Sequence, residues 1–454
     1  MLLVSCHFPP DPSIGALRWQ RMARFAAARG WAMDVIMLAP SEVRGADPTR
    51  LSELPPGTRL FGVPTPSRPM FSLQHAAWKA VRRLVSVARP APASGASSAA
   101  ATSTSETEPA PGANGDSSLH RLRRSFLTSA AFRKGDAWTR RAVRRGVMLA
   151  RETRYDCVVS SGPPHMAHEA ARQIAALHGI PFVMDMRDPW CDVDAMPPDY
   201  SSARWLQLAG TYEARCVRAA ALVVANTSAA EQALRRRYPD LADRFITVMN
   251  GADEDPLPNA PPGERFIIAF AGTLYVGRDP GNLFRGIARA IDAERLTPAE
   301  LSVEFMGSEG YGNIPLTERA RAAGIDAFFT AHGTRPRSEA LAFLARASML
   351  VNLPQDVRLA VPAKLFEYVR FPAWLLVLTE PGTATDMLFA GTEADVVGPD
   401  DVDAIARVVR RHYHAFRRDG RPAPLNASGS FDRRVQAAKL LDALDRVTAV
   451  APKQ

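Results

Sequence analysis

The chain is 454 residues long, with 46% hydrophobic and 23% charged residues and a net charge of +9, the proportions of an ordinary soluble protein of two or three domains. No run approaches the roughly 20 consecutive apolar residues that a bilayer-spanning helix needs. The charge is concentrated: residues 72–154 hold fifteen Lys and Arg against five Asp and Glu, which leaves the rest of the chain near neutrality.

The first residues, Met1-Leu2-Leu3-Val4-Ser5-Cys6, carry neither a basic n-region nor a small-residue cleavage site, so they read as a first strand and not as a signal peptide. A helix near Gly15–Arg29 and a strand Met33–Leu38 are expected next. Residues 90–118 are almost wholly Pro, Ala, Ser, Thr and Gly, with three acidic residues. Such a stretch buries too little apolar surface to offset its ordering entropy, so a disordered insertion is expected. Basic amphipathic segments flank it, at His75–Arg89 and Leu119–Arg154. They read either as helices covering the core or as a surface attracted to anionic lipid, where each Lys or Arg adds about 1 kcal/mol. No aromatic-interleaved motif accompanies the charge, so nucleic acid is not an expected partner.

Beyond the insertion, apolar runs alternate with helical patterns. Strands are expected at Cys157–Ser160, Phe182–Met186, Ala221–Ala225 and Ile246–Met249, then at Phe266–Phe270, Ser302–Met306, Ala327–Thr330, Met349–Leu353 and Leu375–Leu378. Continuous apolar strands between helices indicate parallel sheets covered on both faces. The two series imply an α/β chain of two doubly wound, Rossmann-like parallel-sheet domains facing a cleft. Expected boundaries are 1–250 for the first domain, 251–425 for the second and 426–454 for a last helix packing back on the first domain. The scattered Cys6, Cys157, Cys191 and Cys216 have no paired metal spacing and read as reduced core thiols in a cytoplasmic protein.

Ligands of open parallel sheets bind beyond the carboxyl ends of the strands, and the chain's motifs fall there. After the first strand, Phe8-Pro9-Pro10 leads to Gly15, either simple turn chemistry or a helix start able to meet a phosphate. Ser161-Gly162-Pro163-Pro164-His165 follows another strand. Asp185-Met186-Arg187-Asp188-Pro189-Trp190 follows the next, as a cleft carboxylate orienting an acceptor or as a structural Asp185–Arg187–Asp188 ion network. The second half opens with Gly272-Thr273 and Arg278, whose guanidinium can fork onto phosphate oxygens. Val361-Pro362-Ala363-Lys364-Leu365-Phe366-Glu367-Tyr368 is expected to open an amphipathic helix with Lys364 and Glu367 on one face. They would form either a nucleotide-diphosphate seat or a surface ion pair worth roughly 0.3 kcal/mol. Asp192-Val193-Asp194 lacks a second ligand group and is not taken as a metal site. Phosphate-binding P-loop, dinucleotide-binding Gly-x-Gly-x-x-Gly and Gly-x-Ser-x-Gly motifs are all lacking.

In these motifs the chain resembles the GT-B glycosyltransferases, specifically the retaining family 4 group. The resemblance runs over nearly the whole length except about 65–135. It rests on Phe8-Pro9-Pro10 with Gly15 and Arg18, Ser161-Gly162-Pro163-Pro164, Arg187-Asp188-Pro189-Trp190, Asn250-Gly251-Ala252-Asp253, Gly272-Thr273, Arg278 and Pro362-x-Lys364-x-x-Glu367-Tyr368. It implies transfer of a sugar from a UDP- or GDP-linked donor to a lipid-linked or polysaccharide acceptor, with retention and with neither metal nor cofactor. Front-face substitution is implied, the departing diphosphate aiding deprotonation of the acceptor. Arg278 and Lys364 would bind the diphosphate, Glu367 the ribose, and Gly15, Gly272 and Thr273 would border the donor. Asp188 would orient the acceptor, with Ser161, His165, Arg187 and Trp190 on the acceptor side.

The family often carries a second glutamate eight positions before Glu367, and here that position is Leu359. A sugar-nucleotide 2-epimerase of the same architecture and an inactive GT-B scaffold are the alternative readings. The expected setting is the cytoplasm, with the basic segments at the inner face of the membrane.

Overall fold

The computed structural model describes residues 1–65, 118–191, 202–260, 263–274, 278–308, 315–354 and 358–450. The Pro/Ala/Ser-rich stretch up to residue 117, the His75–Arg89 segment and the Asp192-Val193-Asp194 pattern lie outside the described residues.

The apolar runs form two fully parallel sheets. The first contains β1 (Leu2–Ser5), β2 (Asp34–Leu38), β3 (Arg59–Val63), β4 (Val158–Gly162), β5 (Phe182–Met186), β6 (Leu222–Ala225) and β7 (Phe245–Thr247), in the order β3-β2-β1-β4-β5-β6-β7. The second contains β8 (Phe266–Ala271), β9 (Leu301–Met306), β10 (Phe329–Ala331), β11 (Met349–Asn352), β12 (Trp374–Leu378) and β13 (Asp395–Val397), in the order β10-β9-β8-β11-β12-β13. Both orders reverse beside the sheet's first strand, at β1/β4 and at β8/β11, and the loops at those switch points meet the cleft. Leu2, Leu3, Val4, Met349, Leu350 and Val351 are completely buried, as expected of strands covered on both faces.

The first sheet is flanked by α1 (Ile14–Ala28), α2 (Ser118–Glu152), α3 (Met166–His178), α4 (Ala203–Ala219) and α5 (Ser228–Arg237). The second is flanked by α6 (Gly281–Glu294), α7 (Leu316–Ala322), α8 (Arg337–Ala345), α9 (Leu365–Tyr368), α10 (Ala384–Phe389) and α11 (Val402–Asp419). Side chains cap several helix starts: Ser202 accepts from Trp205 N–H at 3.2 Å and Asp401 from Ala404 N–H at 2.8 Å, each satisfying an otherwise orphaned donor.

The chain crosses between the sheets twice, and the crossings pair with each other. Ala252 N–H donates to Phe431 O at 2.6 Å and Arg433 N–H to Ala252 O at 2.8 Å. Gly251 has φ +72°, and a Cβ there would lie 2.6 Å from Arg433 Cα, so glycine is needed on both counts. After the return crossing, α12 (Arg433–Val450) lies on α1, where Leu440, Leu441 and Leu444 pack with Trp19, Met22 and Ala26.

Two expectations are corrected here. The helix opening at Val361–Tyr368 is only the four residues Leu365–Tyr368, because Pro372 disfavours helical backbone at Phe371 and stops it. The edge strands β3 and β13 were not foreseen; Arg59-Leu60-Phe61-Gly62-Val63 and Asp395-Val396-Val397 are too short or too exposed to give an apolar run.

Candidate active site

Between the two sheets' carboxyl ends lies a cavity of ≈ 370 Å³, walled by His7, Gly15, Arg187 and Asp188 from the first domain and by Val361 and Ala363 from the second. A larger hollow, ≈ 580 Å³, opens at the amino ends of β1 and β2. Its carboxylate, Asp34, is already held by Arg59 and Tyr155, and ligands of such sheets bind at the opposite end.

On the second domain's side, β8 and β9 run into a tight approach of backbones. Gly272 has φ +141° and Gly307 φ +137°, and a Cβ on Gly307 would overlap the Gly272 carbonyl. Gly272 N–H donates to Met306 O at 2.9 Å and Gly307 N–H to Gly333 O at 2.8 Å, so the ladder continues past the strands. The Tyr368 hydroxyl accepts from Ala271 N–H at 2.8 Å and donates to Ala271 O at 3.0 Å. This clamp ties the short helix α9 to the end of β8 and sets Lys364 over the Phe270 ring, with Nζ 3.7 Å from the centroid.

The Lys364 ammonium is the most telling group in the site. Its Nζ is buried and has no hydrogen-bond partner among the described residues. Burial, then repulsion by Arg278, pushes its pKa well below the ordinary lysine range. A buried donor trio facing only aromatic rings is costly, and the nearest backbone opening is the Gly272 turn, where an added Cβ would lie 3.7 Å from Nζ. Arg278 is half-buried beside it and donates to Thr273 O at 3.0 Å. Thr273 thus supports the arginine through its backbone. Glu367 does not join Lys364; its carboxylate pairs with Arg337 at 2.6 Å. The surface Lys364–Glu367 pair does not form.

On the first domain's side the alternative reading, a hydrogen-bonded Asp185–Arg187–Asp188 network, does not form among the described residues, and another network holds Asp185. Asp185, fully buried, receives Arg18 Nε at 3.0 Å, Arg18 Nη2 at 2.9 Å and Trp19 Nε1 at 2.7 Å. Arg18 also donates to Val248 O at 2.9 Å and Met249 O at 3.1 Å, tying helix α1 to the hinge. Arg187 instead donates to Pro163 O, and its guanidinium fills the space where a Gly15 side chain would be. Asp188 faces the cleft and is exposed; the enclosing walls push its carboxyl pKa up, against the pull of Arg187 and Arg18.

Ser161 and Trp190 do not reach the cavity as acceptor-side contacts. Ser161 is fully buried and donates to Asp185 at 3.3 Å. Trp190 is 2% exposed and stacks on His165, ring centroids 5.0 Å apart. His165 and the fully buried His168 behind it are held neutral by burial, with the His168 pKa down to about 3. A Cβ on Gly162 would lie 2.5 Å from His168 Nε2, so this loop is set by the histidine beneath it.

The sequence did not single out His7, Asn226 or Arg433, which wall the cavity together with Asn250 of the hinge motif. His7 and Asn226 directly follow strands, a signal open to the strand-end rule. Arg433 comes from the far end of the chain, and nothing local marks it.

The sequence profile of the family described as Glycosyltransferase Family 4 matches residues 98–256. No curated protein sequence matches the chain. Among solved structures it is similar to HepE of Anabaena, with 13% identity and a TM-score of 0.60 over 98% of this chain and 100% of that one. It is similar to the lipopolysaccharide outer core galactosyltransferase WaaB, with 13% identity and a TM-score of 0.58 over 98% and 99%. It is also similar to a putative UDP-N-acetylglucosamine 2-epimerase from Listeria monocytogenes, with 9% identity and a TM-score of 0.52 over 98% and 95%. Residues 98–256 thus match the Glycosyltransferase Family 4 profile, and the fold is that of the GT-B glycosyltransferase structures, in agreement with the resemblance read from the strand-end motifs.

Proposed function

We propose that this chain, a glycosyltransferase of the GT-B type, moves a sugar from a nucleotide-diphosphate donor to a hydroxyl of a lipid-linked or polysaccharide acceptor, with retention and without a metal. The observation that carries this reading is the buried, unpartnered Lys364 ammonium beside Arg278 at the Gly272 turn. Two cations at one strand end are matched by the two charged phosphates of a diphosphate leaving group, which is the role a metal would otherwise fill. A UDP-linked donor is favoured because HepE was solved in complex with UDP and with UDP-glucose. Glu367, one turn beyond Lys364, is assigned to the ribose, for which it must exchange Arg337 for a diol. Asp188, exposed in the cleft, is assigned to orient the acceptor hydroxyl.

The described part of the basic segment supports a membrane-facing acceptor. On α2, Arg133, Arg140, Arg144 and Arg151 are exposed along one helical face, and Met148, 52% exposed, lies beside them. Such a stripe is suited to anionic headgroups.

A panel of UDP-, GDP- and ADP-sugars screened by thermal shift with 1 mM EDTA, followed by product detection, tests the reading. One sugar nucleotide should raise Tm, since a ligand specific for the folded state stabilises it by mass action. Absence of both binding and nucleotide release across the panel would sink the reading. Conversion of the donor to its 2-epimer without sugar transfer would select the epimerase instead.

A further inference from the structure

The start of α1 and the Arg187 side chain meet at a corner of the cleft that the donor reading leaves unused. Arg187 is 7% exposed, and its guanidinium carbon lies 3.2 Å from where a Gly15 Cβ would be. It donates to Pro163 O, and its Nε has no partner among the described residues. The neighbouring carboxylate, Asp185, is taken by Arg18 at 2.9 Å, and among the described residues the Arg187 guanidinium forms no ion pair. Gly15 lies in the first turn of α1, a helix of 15 residues with no acidic side chain in that turn and no side-chain cap from Ser13. The Ser13 Oγ is itself buried without a partner. Asp11, just upstream, is occupied by Ser13 N–H at 2.8 Å and by His7. A helix start carries partial positive charge, and the buried guanidinium adds a full one beside it. Two like charges in one buried corner are unfavourable unless an anion joins them. Ser13, Gly15, Pro163 and Arg187 all line the ≈ 370 Å³ cavity, which Val361 and Ala363, the neighbour of Lys364, wall from the second domain.

We infer that this corner is a second anion seat and that it takes a phosphate carried by the acceptor; this rests on the glycosyltransferase reading above. The donor's two phosphates are matched by Lys364 and Arg278 on the second domain, so a further anion at Arg187 comes from the other substrate. The corner belongs to the first domain, one residue before Asp188, which that reading assigns to the acceptor hydroxyl. A phosphate monoester or diphosphate of a lipid or a sugar fits it. The guanidinium fork takes two oxygens, and the Ser13 hydroxyl and the first-turn N–H groups take others. The seat holds the acceptor and moves no proton, which leaves deprotonation to the departing diphosphate.

Inorganic phosphate is the probe, titrated by calorimetry into UDP-loaded wild type, Arg187→Gln and Ser13→Ala, and into Lys364→Met without UDP. UDP-loaded wild type should bind one phosphate. Arg187→Gln should weaken that phosphate about tenfold or more and Ser13→Ala about threefold to tenfold, the losses of a charged and a neutral hydrogen-bond donor. The Kd for UDP should stay within about twofold in both. Lys364→Met should still bind phosphate, because the seat lies on the other wall of the cleft. Ser13→Ala removes a single orphaned hydroxyl and carries the test should Arg187→Gln fail to fold. The inference is overturned if UDP-loaded wild type binds no phosphate or if both variants bind it as wild type does. It is overturned too if UDP affinity falls in proportion, which would give the corner to the donor's own diphosphate. A wild type that binds no UDP, with phosphate binding to Lys364→Met lost on adding Arg187→Gln, would overturn the donor reading and still support the seat.

Discussion

Replacing Lys364 with Met should make the free protein more stable and nearly abolish donor binding. Met matches the length of the lysine stem and keeps the contact with Phe270, while the unpartnered Nζ disappears. Leaving a buried polar group unsatisfied costs about 1–3 kcal/mol. The cation–π contact with Phe270 offsets about 1 kcal/mol of that. The net gain is therefore about 1 kcal/mol, or a Tm rise of about 2–4 °C for a domain of this size. Losing a hydrogen bond to a charged phosphate costs about 1.5–3 kcal/mol, which weakens UDP about 10- to 150-fold.

The same residue makes a protonic prediction. Burial holds the free-state Lys364 pKa well below its ordinary value, and a diphosphate beside it favours the charged form and raises it. UDP binding should therefore take up a proton, and affinity should decline as pH rises above the free-state pKa. Calorimetry in HEPES and Tris, whose ionisation enthalpies differ, measures the uptake directly. A Lys364→Met protein that binds UDP like wild type, or that melts several degrees lower, would refute the argument that Nζ awaits an anion.

Three further outcomes follow. The His168 pKa, about 3 in the folded state against about 6.5 unfolded, means that the unfolded chain binds the extra proton, so stability present above pH 6.5 is lost as pH falls towards 3. By pH 4.5 the loss is roughly 3 kcal/mol, and urea midpoints at pH 7.5 and 4.5 should differ much less in His168→Gln. Gly15→Ala pushes aside the tip of the flexible Arg187 side chain; Tm should move by less than about 2 °C, while misplacement of the cleft wall lowers UDP-glucose turnover about tenfold. Charge reversal at Arg140 and Arg144 should release the protein from vesicles containing 30% phosphatidylserine, and unchanged binding would remove the membrane stripe from the proposal.

Much of the fold was legible because parallel sheets announce themselves. Leu2–Val4, Phe182–Met184 and Met349–Val351 are continuous apolar runs, and each lies in a buried strand. Edge strands β3 and β13 carry exposed or charged residues, and their pairing is set by neighbours that a local window does not see. At the site, the strand-end rule led to Lys364, Arg278, Gly272 and Asp188 but not to how their partners are divided. Asp185 and Asp188 look alike in sequence, yet one is enclosed by Arg18 and Trp19 and the other faces the cleft. That difference comes from helix α1, more than 150 residues away in the chain. Trp190, placed on the acceptor side by the resemblance, is a buried ring stacked on His165.

Leu359 sharpens the division of labour in this cleft. The resemblance places a sugar-binding glutamate there, and the structure gives the position a different task. Thr227, which caps α5 by accepting from Ala230 N–H at 3.1 Å, donates its hydroxyl to Leu359 O at 2.6 Å. The Leu359 side chain packs against apolar cores of both domains. The residue is thus a seam between the domains. A glutamate at this point would carry a charge into an apolar contact and hold the seam open unless a sugar hydroxyl met it. With leucine, the seam is held by apolar contact on both sides. Leu359→Glu should therefore lower Tm by a few degrees, about 1 kcal/mol of lost contact, while leaving UDP affinity within about threefold, because Lys364 and Arg278 lie at the other end of the donor. A parallel fall in UDP affinity would show that the nucleotide end also relies on the closed seam.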